Sequence, residues 1–168
     1  PAGSYQPDAG ENSCDIANNG TYAPGGGAAA IPCPSGSYCN LEGNKGCSSC
    51  FKCAKGSASS GTGAVNCDKC KAGTFTKSVG ASICTNCTAG SASSIGSTVC
   101  SQCVAGKFAE PGASDCESCK SGSYSPKAGM TKCLPCPPGR AVYVNSTTLG
   151  NKPGPTVCPA CAKGHFAG

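Results

Sequence analysis

The chain has 168 residues with 18 cysteines, 25 glycines, no tryptophan and a formal net charge of +5. Ile, Leu, Val and Phe together supply about 11% of it, too little to build a sizeable hydrophobic core without cross-links, whereas cysteine at the same abundance exceeds the roughly 8–10% that marks a disulfide scaffold. The positive charge comes from scattered lysines with no basic run, which argues for solubility and against nucleic acid as a partner.

So many thiols that serve structure require an oxidising compartment, so the expected location is extracellular, at the cell surface or secreted. No apolar run approaches the roughly 18 residues of a membrane span, and no signal peptide is visible; direct membrane insertion is not expected. The sequence reads as a segment of a longer mature protein.

From the start, Pro1-Ala2-Gly3-Ser4-Tyr5 resembles the stretch after the second cysteine of each later motif, so residues 1–14 form a partial module ending at Cys14. Residues 15–32 form a module in which Ala17 and Ala30 stand where two cysteines belong. Their joint replacement, with Cys14 and Cys33 kept, is expected if bridges join the second cysteine of one motif to the first of the next. This bridge-free module around Asn19 is the expected joint or docking point.

Residues 33–52 carry two extra cysteines. Cys33 and Cys47 keep the standard separation of 14, which predicts Cys33–Cys47 and, for the extras, Cys39–Cys50. Modules 53–69, 70–86, 87–102, 103–118 and 119–135 come next, with Cys-x-x-Cys pairs beginning at Cys67, Cys84, Cys100, Cys116 and Cys133 in steps of 17, 16, 16 and 17. Such regularity marks a tandem array. The loop rule gives Cys53–Cys67, Cys70–Cys84, Cys87–Cys100, Cys103–Cys116, Cys119–Cys133 and Cys136–Cys158, and leaves Cys14 and Cys161 to partners beyond the segment. Sequence alone does not fix connectivity, and sixteen cysteines admit many other pairings.

Within each loop a glycine is followed by one residue and then an aromatic or alanine: Tyr5, Tyr22, Tyr38, Phe75, Phe108, Tyr124 and Phe166, against Ala58, Ala92 and Ala141. These segments predict short strands, and the second glycine of each loop predicts a hairpin turn. The aromatics are expected to pack on the neighbouring bridge. The fold class is therefore small disulfide-rich: an elongated tandem array of short β-hairpin modules with little or no helix, each module touching only its neighbours.

Module 136–160 has a loop longer by eight residues than the standard. Its Val142-Tyr143-Val144 predicts a strand, with Asn145-Ser146-Thr147 at an exposed tip; this insert is the place for a module-specific contact. Residues 161–168 begin another module. Three glycosylation sequons start at Asn19, Asn86 and Asn145, and N-linked glycans are expected there, with O-linked sugar on serine clusters such as Ser57–Ser60.

Cys-x-x-Cys pairs can hold zinc, but an unbroken ladder with one histidine, His165, argues against a metal or other cofactor. No nucleophile with its base, carboxylate pair or phosphate loop can be assembled, so no enzyme is expected. The Cys-x-x-Gly-x-(Tyr/Phe) pattern, as in Cys103 to Phe108 and then Cys116 and Cys119, resembles the cysteine-rich repeats of ephrin receptors and tumour necrosis factor receptors. In its monotony it also resembles surface antigens and appendage proteins of protists and algae. The resemblance implies stapled hairpins in an extracellular protein. Two functions stand as expectations. One is a glycosylated structural protein of a coat, filament or flagellar appendage, with few large apolar residues exposed, whose partners are its own copies or other extracellular structural proteins. The other is a ligand-binding receptor ectodomain.

Overall fold

The computed structural model describes residues 1–41, 46–144 and 152–162. Its recurring element begins at the Cys-x-x-Gly step. At Ala54–Ser57 the Ser57 amide donates to the Ala54 carbonyl at 3.1 Å and the Ser57 hydroxyl to the same oxygen at 2.8 Å. Gly56, third in this turn, has φ +77°, the left-handed value that a type II turn demands there and that glycine adopts without steric cost. The turn aims the next two residues back along the chain.

Those two residues form a strand, and the two residues inside the next Cys-x-x-Cys form its antiparallel partner. In chain order β1 (Ser4–Tyr5) pairs with β2 (Asp15–Ile16), β3 (Thr21–Tyr22) with β4 (Ile31–Pro32), and β5 (Ser37–Tyr38) with β6 (Phe51–Lys52). Then β7 (Ser57–Ala58) pairs with β8 (Asp68–Lys69), β9 (Thr74–Phe75) with β10 (Thr85–Asn86), and β11 (Ser91–Ala92) with β12 (Ser101–Gln102). Last come β13 (Lys107–Phe108) with β14 (Glu117–Ser118), and β15 (Ser123–Tyr124) with β16 (Leu134–Pro135). The described residues contain no helix; the chain is a small disulfide-rich tandem array of β-hairpins.

A two-stranded ribbon this short is unstable alone, so the hairpins draw on backbone bonds to one another, and those from β5–β6 to β15–β16 also on a disulfide staple. The chain divides into two units, residues 1–71, 75–85 and 96–98 in the first, and 72–74, 86–95 and 99–168 in the second. In the first unit Gly36 donates to Ser59 O at 2.7 Å, Cys53 to Gly36 O at 2.9 Å, and Gly80 to Cys53 O at 2.7 Å. The repeat glycine thus serves as donor and acceptor to the following module, while a turn glycine further on bonds back to the leading cysteine. The second unit repeats the scheme: Gly90 donates to Ala109 O at 2.8 Å, Cys103 to Gly90 O at 2.9 Å and Gly112 to Cys87 O at 2.9 Å.

The expectation that modules touch only their neighbours is corrected here. In the first unit a Cβ on Gly56 would run into the carbonyl of Gly96, two modules on, and one on Gly36 into that of Gly80. In the second unit Gly154 donates to Gly106 O at 3.1 Å across the module that begins at Cys119. The glycines of the Cys-x-x-Gly turns, having no side chain, let the backbones meet this closely, and repeat spacing alone does not reveal it.

Burial reflects the composition. The cluster Cys33, Cys39 and Cys47, with Tyr22, Leu41 and Cys50 packed against it, is the nearest thing to a core. Elsewhere cysteine, alanine and serine fill the interior: Cys53, Cys70, Cys87, Cys103 and Cys119 are almost fully buried, as are Ala17, Ala23, Ala109 and Ser125. Buried hydroxyls are costly unless bonded; Ser125 Oγ donates to Lys107 O at 3.1 Å and Ser93 Oγ to Thr74 O at 3.0 Å.

Candidate functional site

Bridges close the hairpin loops. The structure joins Cys53–Cys67, Cys70–Cys84, Cys87–Cys100, Cys103–Cys116, Cys119–Cys133 and Cys136–Cys158, with Cα atoms 5.6–5.8 Å apart, inside the range a disulfide spans without backbone distortion. The cysteine that opens each standard loop is nearly fully buried, whereas the one that closes it is more exposed. The opening amide is the one bonded to the preceding repeat glycine, so this asymmetry comes from the ladder. Cys14 is exposed, and neither it nor Cys161 is bridged.

The expected Cys33–Cys47 and Cys39–Cys50 pairs are overturned: the structure joins Cys33–Cys50 and Cys39–Cys47. The reason is strand geometry. Phe51 and Lys52 pair with Tyr38 and Ser37 as the return strand, which makes Cys50-x-x-Cys53 the true motif and Cys50 the closing cysteine of its loop. A separation of 17 is tolerated because a longer loop adds little closure cost. Cys39–Cys47 is then an inner staple eight residues apart.

Sequons meet different surroundings. Asn19 is exposed, and its Oδ1 accepts from the Leu41 amide at 2.8 Å; Asn86 is exposed on β10 beside the buried Cys87. Asn145, with Ser146 and Thr147, lies outside the described residues, as do His165 and Phe166. The strand expected at Val142–Val144 is corrected: these residues form none. Their hydrogen bonds go instead to the module before. Gly122 donates to Val142 O at 2.9 Å, while Ser121 Oγ accepts from the Val144 amide at 2.8 Å and donates to its carbonyl at 3.1 Å. Tyr143 between them is 87% exposed.

Two aromatic placements set the first unit apart. Tyr22 packs on the Cys33, Cys39 and Cys47 cluster, and Tyr38 meets Phe51 across β5 and β6 with ring centroids 5.8 Å apart. Around that second pair opens a groove of about 610 Å³ lined by Tyr38, Asn40, Gly46–Ser49, Phe51 and Asn66. The inner staple Cys39–Cys47 brings residues 46–49 to one wall, and the bond from the Cys39 amide to Ala64 O at 3.1 Å brings Asn66 to the other. Asn40 Nδ2 donates to Asn66 Oδ1 at 3.3 Å. Sequence reasoning missed this groove, and the available signal was the extra cysteine pair read with its correct partners.

Residues 106–148 match the family described as "Tyrosine-protein kinase ephrin type A/B receptor-like"; that stretch runs from the repeat glycine Gly106 through the module 119–135 into the long loop. A search of curated proteins finds no match. No helix among the described residues is long and apolar enough to cross a membrane. With eight bridges in a hairpin array and this match, the chain is a cysteine-rich repeat protein built from disulfide-rich modules of extracellular type.

Proposed function

We propose that the chain is a non-catalytic structural protein of the cell exterior, a glycosylated segment that works by assembling into a coat, filament or appendage with its own copies or with similar chains. One observation carries this reading: in the two adjacent modules 70–86 and 87–102, large aliphatic side chains stand in the open at the same two loop positions. One stands before the turn glycine and one before the closing cysteine, with Val79 56% and Ile83 69% exposed in the first unit, and Ile95 70% and Val99 60% in the second. The expectation of few exposed large apolar residues is thus overturned in these two modules. Fully burying such a side chain is worth roughly 1.5–3 kcal/mol, so covering the exposed parts of these four contributes together wherever copies of the chain meet on them. Sugar at Asn19, Asn86 and Asn145 would limit which faces pair.

The test is to image the native particle after extraction without reductant, and to compare sedimentation of the oxidised chain with an Ile83→Ser/Ile95→Ser/Val99→Ser variant. Ordered assemblies lost in the variant are expected. A monomer that binds a soluble partner through Tyr143 would sink the reading. It would instead support the second one, a ligand-binding receptor ectodomain, which the match over residues 106–148 favours.

A further inference from the structure

We propose that the groove beside the inner staple binds a neutral sugar ring of a glycan, the apolar face of the ring lying on Phe51 and its hydroxyls meeting Asn40, Asn66, Ser48 and Ser49. Phe51 is the largest side chain that the described residues leave more than half exposed on a strand, at 56%. Its ring is held at a fixed tilt by Tyr38, 5.8 Å away. An exposed aromatic of fixed orientation is a platform for the C–H face of a pyranose, which is apolar although the rim of the sugar is polar.

The rim of the groove matches that of the sugar. The bond from Asn40 Nδ2 to Asn66 Oδ1 leaves Asn40 Oδ1 as an acceptor and Asn66 Nδ2 as a donor, side by side and already oriented. Adjacent sugar hydroxyls each donate and accept, so they satisfy such a pair together. Ser48 and Ser49, both exposed on the wall that Cys39–Cys47 holds, add hydroxyls of the same kind. The described lining residues offer amides, hydroxyls and an aromatic face, groups that suit a polyol. A groove of about 610 Å³ falls in the range of small-molecule sites and admits more than one ring. Among the described residues this module alone carries a second staple, so the site is single and not a property of the repeat.

The experiment uses the oxidised chain, once as secreted and once after enzymatic removal of N-linked glycans. Each sample is titrated with methyl pyranosides and neutral disaccharides while ¹H–¹⁵N spectra follow the Asn40 and Asn66 side-chain amides. Saturable shifts at those amides are expected, with affinity falling about tenfold in Phe51→Ala and in Asn66→Ala. Asn66 is exposed, so Asn66→Ala should retain all bridges in non-reduced peptide mapping even if Phe51→Ala folds poorly. Binding only after glycan removal identifies the glycan of a neighbouring copy as occupant, and binding in both samples identifies an external glycan. No saturable shift in either sample up to tens of millimolar, or shifts that Asn66→Ala leaves unchanged, overturns the proposal.

Discussion

The amide of Gly154 donates to the carbonyl of Gly106 at 3.1 Å although a whole hairpin module lies between them in sequence. The repeat glycine therefore has two duties, a left-handed turn and a backbone contact with a distant module, and they can be separated. Gly106, with φ +83°, meets Gly154 at once if a Cβ is added, whereas a Cβ on Gly122, with φ +77°, meets nothing within 4 Å among the described residues. Gly122→Ala should cost only conformational strain, about 1–2 kcal/mol. Gly106→Ala should cost clearly more, because backbone must shift as well. Hydrogen exchange at the Gly154 amide checks this; equal losses for the two variants would show that the distant contact has no energetic weight.

Bridge connectivity in the module 33–52 is the second expected outcome. Non-reduced peptide mapping should find Cys33 with Cys50 and Cys39 with Cys47. A Cys39→Ser/Cys47→Ser variant should keep Cys33–Cys50, lose about 2.5 kcal/mol of local stability and leave the downstream bridges intact. Cys33–Cys47 in the mapped protein would contradict the pairing.

How far the sequence led can be judged at particular residues. The period of the cysteines exposed the array, and the paired absence at Ala17 and Ala30 pointed to loop-closing bridges; both are local, one-dimensional signals. Loop length misled at Cys47, because the element that recurs is the two-residue return strand inside Cys-x-x-Cys, as Phe51 and Lys52 show, and not the span of the loop. Contacts such as Gly36 to Gly80 and the meeting of Asn40 with Asn66 were illegible. They depend on how modules pack in space, which a repeat unit read by itself does not encode. Val142–Val144 had strand-like composition, yet Ser121 offered its backbone another partner.

Ala17 and Ala30 supply a third prediction. The Ala17 amide donates to Gly3 O at 3.0 Å, as the Cys33 amide does to Gly20 O at 2.9 Å. Ala17 is fully buried and Ala30 half-buried, the same asymmetry as in bridged loops. An Ala17→Cys/Ala30→Cys variant should therefore close a bridge spontaneously in air and gain up to about 3 kcal/mol against urea. Thiol alkylation before and after unfolding reads the result. Two engineered thiols that remain reactive would mean that this hairpin differs from its stapled neighbours.

The last prediction concerns Ser121, whose hydroxyl is the shared partner of both backbone groups of Val144. A serine hydroxyl that donates and accepts at once can take the place of one rung of a sheet ladder, and the Gly122 bond to Val142 adds a second tie. Removing the hydroxyl should leave that second tie and the Cys119–Cys133 and Cys136–Cys158 bridges untouched, so the effect is confined to the start of the long loop. In Ser121→Ala the Val144 amide should lose protection from hydrogen exchange by roughly five- to tenfold, matching about 1–1.5 kcal/mol for a lost hydrogen bond, while the Gly129 and Cys119 amides keep theirs. Spread of the loss to those amides would show that the loop and the array unfold together. Unchanged exchange at Val144 would show that the Gly122 bond alone holds the segment and that Ser121 is incidental to it.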